Sequence, residues 1–297
     1  MYSKSLKLGI CIILAINVSC YKQKQYEDLP ANGEISVLTY NVAGLPEGIN
    51  SDQFPIKHTP LISPLLNAYD VVNVQEDFAY HDILYKDITA PYKTKYEAKK
   101  VFGDGLNTIS KIPFIDFRRI AWYSCANTDC LTPKGFSYCR LRINADTYID
   151  LYNVHCNAGS DGNSLIARRS NIMQLSNFIK ANSANNAIIL MGDFNCRYTR
   201  TGDIIRKIDS LGLTNSWIEL IRNNVYPNFD DNSLMNCDAP THPECEVVDK
   251  IFYRSSDKIK LTATKFQLDS TLFYDAEGTP LSDHFPMFTT LKYNVLR

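Results

Sequence analysis

The run Ala-Ile-Ile-Leu-Met-Gly-Asp-Phe-Asn-Cys at residues 187–196 constrains this chain more than any other stretch. Five consecutive apolar side chains predict a strand buried on both faces, so the sheet that holds it needs cover above and below. Gly192 lets the backbone bend as the strand ends. Side chains alternate along a strand, so Asp193 and Asn195 point one way while Phe194 turns back into the core. The strand end thus offers a carboxylate and an amide on a rigid base. Gly-Asp-x-Asn is also an ordinary turn sequence, and its meaning depends on the other strand ends.

Those ends repeat the pattern. Residues 35–41 read as a strand, with Ile35, Val37, Thr39 and Asn41 on one face and Ser36, Leu38 and Tyr40 on the other. Residues 55–68 look helical in part, and residues 69–76 form a second buried strand ending in Gln75 and Glu76. Residues 104–113 and 115–122 read as paired strands around a tight connection. Residues 134–143 and 147–155 read as a hairpin turning at 144–146, with His155 at its end and Asn157 two residues on. Helical spacing of Leu165, Ile172, Leu175 and Ile179 predicts a surface helix over 163–181, and shorter helices are expected at 202–211 and 217–222. A long loop, 223–245, is rich in Asn, Asp and Pro and reads as one that serves a site or stays free. Residues 246–253 read as a strand with Asp249 in its middle, where a carboxylate needs a partner. The cluster Ser282-Asp283-His284 precedes a final strand over 287–293.

With 297 residues and 45% apolar content, the chain can bury a substantial core. Its first twenty residues have a signal-peptide pattern: Lys4 and Lys7 precede an apolar run too short to span a bilayer, with cleavage expected after Cys20. Lipid anchoring through Cys20 is the lesser reading, because Asn17 stands where such signals carry Leu. A polar linker follows to residue 33, and residues 34–297 are expected to form one catalytic domain. Without Lys4 and Lys7 there are 29 basic against 32 acidic side chains, about −3, so no global basic field marks a nucleic-acid binder. Export makes Cys125/Cys130 and Cys237/Cys245 plausible local disulfides, and Cys139, Cys156 and Cys196 read as small buried residues. The spacing of Cys237, His242 and Cys245 fits no common zinc pattern.

In order, Asn41, Gln75-Glu76, Gly105-Leu106 with Ser110-Lys111 and Pro113, His155 with Ala158, Gly192-Asp193-x-Asn195, Asp249 and Ser282-Asp283-His284 resemble the signature set of the endonuclease/exonuclease/phosphatase superfamily, built on the DNase I fold. The resemblance spans about residues 34–291. It implies a four-layered α/β sandwich, with two packed mixed β-sheets flanked by helices and the site at one end. The segments 278–284 and 134–136 resemble secreted neutral sphingomyelinase-type members most.

The resemblance implies Mg²⁺, with Mn²⁺ or another divalent ion as a substitute, bound by Glu76 with help from Asn41 and with Asp283 near a second ion. It implies His284 as general base, oriented by Asp283 or another carboxylate, and Asp193 as the group that positions water. Asn195 would donate to a phosphoryl oxygen, His155 would add a positive donor, and Asp249 would orient His155 or assist the leaving group. Lys134 and Asn157 are the candidate substrate-binding residues. The expected enzyme is a secreted, monomeric phosphodiesterase acting on a phospholipid headgroup at a membrane surface. A DNase-like nuclease is the alternative, to be marked by a groove of Lys111, Lys134, Arg140, Arg197 and Arg200; a phosphoinositide-type phosphatase comes next. Residues 225–229 or 272–274 are candidate membrane contacts, with core packing under a loop the favoured reading.

Overall fold

The computed structural model describes residues 26–97, 102–235, 242–268 and 271–296. The expected signal peptide, Cys20 and Cys237 lie outside the described residues. In chain order the elements are β1 (Asn32–Asn41), α1 (Pro55–Leu65), β2 (Val71–Gln75), α2 (His81–Leu84), β3 (Tyr92–Lys93), β4 (Asn107–Ser110), β5 (Phe114–Ala121), β6 (Gly135–Arg142), β7 (Tyr148–His155), α3 (Gly162–Asn182), β8 (Ala187–Asp193), α4 (Arg206–Asp209), β9 (Thr214–Asn215), α5 (Ser216–Leu220), α6 (Asn232–Met235), β10 (Asp249–Arg254), β11 (Ile259–Leu268) and β12 (Met287–Val295).

The strands form two six-stranded sheets, ordered β11-β12-β1-β2-β4-β3 and β5-β6-β7-β8-β10-β9. Alternation along β1 decides what each face meets. Ile35 and Val37 join the apolar core that contains β6, β7 and β8, while Leu38 and Tyr40 pack with Ile62 and Leu66 on the opposite face. On the far side of the second sheet, Phe178 of α3 packs edge-on against Phe136, Tyr138 and Tyr152. The result is the helix, sheet, sheet, helix order that the resemblance implies. α3 starts where Asp161 accepts from the backbone N–H groups of Asn163 and Ser164, an N-cap worth about 1 kcal/mol.

Each sheet has a parallel pair at its centre, and this pairing collects the polar strand ends. β1 runs parallel to β2 with Asn41 opposite Gln75, and β7 runs parallel to β8 with His155 opposite Asp193. Their antiparallel neighbours begin at the same level, Asp249 of β10 opposite Asp193 and Met287 of β12 opposite Thr39. Six segments far apart in sequence therefore meet at one edge of the sandwich.

Gly192 is required by close approach as well as by the bend. Its φ is +152°, and a Cβ there would lie 2.1 Å from the Val154 carbonyl oxygen on β7. Gly192→Ala is expected to destabilise the fold by about 2–3 kcal/mol. Urea unfolding checks this, and a change below about 0.5 kcal/mol would show that β7 can move aside.

Two expectations need correction. Residues 104–113 and 115–122 do not pair: β4 lies between β2 and β3, whereas β5 pairs with β6 in the other sheet. The connection crosses between sheets, with the Lys111 N–H donating to the Asp70 carbonyl on one side and the Pro113 carbonyl accepting from the Arg142 N–H on the other. The strand expected at 246–253 begins only at Asp249, because Glu246 turns away to accept from the Tyr198 and Thr199 backbone N–H groups. The expected helices at 202–211 and 217–222 form shorter helices, α4 and α5, and the 134–155 hairpin forms as expected. Cys125 and Cys130 form a disulfide, while Cys139, Cys156 and Cys196 are free and buried.

Candidate active site

Asn41 sits at the centre of the cluster. Its Nδ2 donates to Glu76 Oε1 at 3.2 Å and to Asp193 Oδ2 at 3.3 Å, and its Oδ1 accepts from the Ala43 N–H. Asn41 therefore holds the two carboxylates and turns its own oxygen away from them. Glu76 leaves β2 with a φ of +57°, a left-handed conformation unusual for a residue other than glycine.

His284 and Asp249 form a tight pair. The carboxylate can only accept here, so the His284 Nδ1–H donates to Asp249 Oδ2 at 2.9 Å, and Nε2 faces Asp193 Oδ2 at 3.8 Å. The carboxylate that orients His284 is thus Asp249. Asp283 is solvent-exposed, with Ser282 Oγ 3.4 Å from its Oδ1. Ser282 also donates to the Asn41 carbonyl, which fixes the segment ahead of β12 against the end of β1.

His155 completes the inner wall, its Nε2 3.5 Å from Asp193 Oδ2 and 3.7 Å from Glu76 Oε1. Asn195 closes over Asp193, its N–H donating to Oδ1 and its Nδ2 to Oδ2. Phe194 is fully buried against Phe252, so the alternation expected at this strand end holds.

Burial and charge give these groups different protonation tendencies. Burial lowers the His155 imidazole well below its ordinary value, reinforced by Lys134 and His284, so it stands as a neutral N–H group. Burial alone would also lower His284, but the carboxylates of Asp249, Asp193 and Asp283 outweigh it and hold the imidazole well above its ordinary value. Asp193 is pushed up to about 6 by burial and by Asp249, against the pull of His284.

Donor chemistry tests whether a divalent cation fits. Glu76 and Asp193 converge on the same Asn41 amide, and Asp249 Oδ1 is buried without a hydrogen-bond partner. Such clustered carboxylate oxygens suit a hard ion such as Mg²⁺. Asp193, Asp249 and His284 also lie close enough to share an ion. There, however, Asp249 already takes one ring nitrogen of His284, and Mg²⁺ prefers oxygen to imidazole. The Glu76 side is the better fit.

The remaining sequence candidates border this cluster, Lys134 close enough to act on His155 and Asp193. Lys134 Nζ pairs with Asp129 Oδ1 at 2.7 Å beside the Cys125–Cys130 loop. Asn157 accepts from the Ala126 N–H and donates to the Ala158 carbonyl, so both ends of its amide hold backbone. The residues proposed for a basic groove each have a partner within the chain, Lys111 with Asp70, Arg140 with Asp150, Arg197 with the Glu246 carbonyl and Arg200 with Asp203, while Lys111, Arg140 and Arg200 stay partly exposed.

One supporting layer was missed at the sequence level. Between the sheets, Gln75 Nε2 donates to Asn153 Oδ1 at 2.7 Å, Asn153 Nδ2 donates to the Val74 and Asn107 carbonyls, and Thr108 donates to Asn73. This fully buried network ties β2 to β7 directly beneath Glu76 and His155. Its sequence signal is the amides Asn73, Gln75 and Asn153 inside two buried strands.

The family model described as Endonuclease/Exonuclease/phosphatase family 2 matches residues 58–235, more than half of the chain. The chain belongs to this family. Among curated proteins, this endonuclease/exonuclease/phosphatase member is 37% identical over 271 residues to sphingomyelinases of Mycobacterium bovis and Mycobacterium tuberculosis. The match covers 88% of the chain, which spans about half, 53%, of the length of those relatives. Solved structures show the same fold. Beta toxin 275-280 from Staphylococcus aureus superposes with a TM-score of 0.60 at 17% identity, covering 86% of this chain and 99% of that one. Sphingomyelinase C from Streptomyces griseocarneus gives 0.59 at 17%, covering 87% and 99%. D. rerio TDP2 complexed with single strand DNA product gives 0.62 at 19%, covering 87% and 98%.

Proposed function

We propose that this family member is a secreted, Mg²⁺-dependent phosphodiesterase of sphingomyelinase type, cleaving a phospholipid headgroup by in-line attack of water. The observation that carries the chemistry is the His284–Asp249 pair facing Asp193, with Glu76 and His155 on the opposite wall. Identity to the two mycobacterial sphingomyelinases supports the choice of substrate over DNA.

Glu76 would hold the cation with Asp193 nearby, and when bound the ion would neutralise charge on the nonbridging phosphoryl oxygens. His284 takes the proton of the attacking water at Nε2, which is free because Nδ1–H is committed to Asp249. Asp193 accepts the other water hydrogen and aims the oxygen, held rigid by Asn41 and Asn195. His155 contributes a neutral N–H donor beside the phosphoryl group, where the positive donor expected from sequence would require charging a fully buried ring. Asp283, exposed beside this site, remains available to a second ion.

Only neutral His284 can act as base, so activity is expected to rise with pH through its elevated ionisation. Asp249→Asn removes the charge that stabilises the imidazolium, so the acid limb of kcat/KM should move to lower pH while the plateau falls. An unchanged limb would mean that another group limits the rate.

The substrate test supplies sphingomyelin in mixed micelles and plasmid DNA side by side, both with Mg²⁺. Phosphocholine release with intact plasmid is the expected result. Nicked plasmid without phosphocholine would move the enzyme to the nuclease branch.

A further inference from the structure

α3 buries a charge behind the site. Arg168 is among the largest fully buried side chains, and buried Asn171 lies one turn further along the same helix face. A buried guanidinium holds only with a counter-charge and acceptors around it, and Arg168 draws these from two loops at once. Its Nη1 donates to the Asn157 carbonyl at 3.2 Å and the Gly159 carbonyl at 2.7 Å, in the loop after His155. Its Nε donates to Asp203 Oδ1 at 3.0 Å, in the loop after Asp193. Asn171 Oδ1 accepts from the Asn157 N–H at 3.0 Å, so the same helix holds the first loop by a further bond.

Asp203 carries this anchor to the end of β8. Its Oδ2 accepts from the Arg197 N–H at 2.9 Å and lies 3.2 Å from Arg200 Nη1, and that same Nη1 donates to the Asn195 carbonyl at 2.9 Å. Asn195 has a φ of +50°, a left-handed backbone that asparagine tolerates better than most residues. In that conformation its N–H reaches Asp193 Oδ1 at 2.8 Å, while its Nδ2 donates to Asp193 Oδ2 and to the Cys156 carbonyl, both at 3.1 Å. Arg200 therefore fixes the carbonyl of the residue that holds both oxygens of Asp193.

We infer that Arg200 is a positioning residue for the reaction, setting the aim of Asp193 through the Asn195 carbonyl, with the buried Asp203–Arg168 pair as its anchor. The inference rests on the phosphodiesterase reading and deepens it, because it gives a partly exposed arginine beside the site an inward role instead of a contact with the anionic substrate. The two roles leave different kinetic marks. A substrate contact sets KM, whereas a positioning role sets kcat.

Arg200→Met keeps an apolar stem and removes the charge, and Asp203 still has Arg168, so this variant is expected to fold. Hydrogen exchange of the full chain, read by mass spectrometry without substrate or metal, should quicken about tenfold over residues 194–203, where Asp193 and Asp203 hold the Asn195 and Arg197 N–H groups. Sphingomyelin hydrolysis by the variant should lose about 10- to 100-fold in kcat with KM within about twofold of the parent. Arg200→Lys places one ammonium where Nη1 now bridges two acceptors, and it should recover most of both losses. Unchanged exchange over 194–203, a KM rise at constant kcat, or no recovery in Arg200→Lys would overturn the assignment. A parent that cleaves sphingomyelin, with kcat unchanged in Arg200→Met, retires the positioning role and leaves the phosphodiesterase reading intact. Faster exchange that Arg200→Lys reverses, in a chain whose parent leaves sphingomyelin uncleaved, upholds the anchor and retires the sphingomyelinase-type reading.

Discussion

His284→Ala is expected to lower kcat about 10²- to 10⁴-fold, the usual contribution of a positioned general base. At 1.36 kcal/mol per tenfold this is roughly 3–5 kcal/mol of transition-state stabilisation. Nδ1 is taken by Asp249 at 2.9 Å, leaving Nε2 as the nitrogen that faces Asp193. KM should change little, because the proposed base acts on the attacking water rather than on the lipid. Steady-state hydrolysis of sphingomyelin by folded variant and parent decides it. A loss of less than about fivefold would assign the base elsewhere, to Asp193 first, whose carboxyl is already pushed up to about 6 by burial.

Glu76→Ala should have an effect at least as large, about 10³-fold or more, since it removes the proposed cation ligand. Activity loss alone would not separate ligation from structural damage, so the informative readout is thermal. Mg²⁺ binding to the native state is expected to raise the parent's Tm by mass action, and the variant should lose that rise. In the absence of Mg²⁺ the variant is expected to melt no lower than the parent. Glu76 and Asp193 crowd one Asn41 amide, so deleting one carboxylate relieves repulsion. A variant that keeps the full Mg²⁺-dependent rise would place the ion elsewhere, with the Asp193, Asp249 and His284 group the next candidate.

Much of this was legible from strand ends. Residues 187–196 predict their strand, its burial and the directions of Asp193, Phe194 and Asn195, because a run of apolar residues and a period of two admit few alternatives. The faces of β1 follow for the same reason. Pairing between distant strands is less legible. Residues 104–122 carry two strand patterns in tandem, and nothing local distinguishes a hairpin from a crossover between sheets through Lys111–Pro113. Partner choice among polar groups is hidden as well. Asp249 and Asp283 are both carboxylates near His284, and only the register of β10 against β8 brings Asp249 to the ring and leaves Asp283 exposed. Asn157 lies two residues from His155 in sequence, yet the loop closed by Cys125–Cys130 engages both it and Lys134. The two candidate membrane segments divide: Phe273 is buried against Tyr40, while Val225, Phe229 and Leu272 are exposed.

The central claim is that these strand ends assemble a divalent-cation phosphodiesterase centre. Its most direct test is phosphocholine release from sphingomyelin by the protein stripped with EDTA, before and after Mg²⁺ is restored. No release is expected in EDTA, with full recovery on addition of Mg²⁺. Undiminished release in EDTA would contradict it.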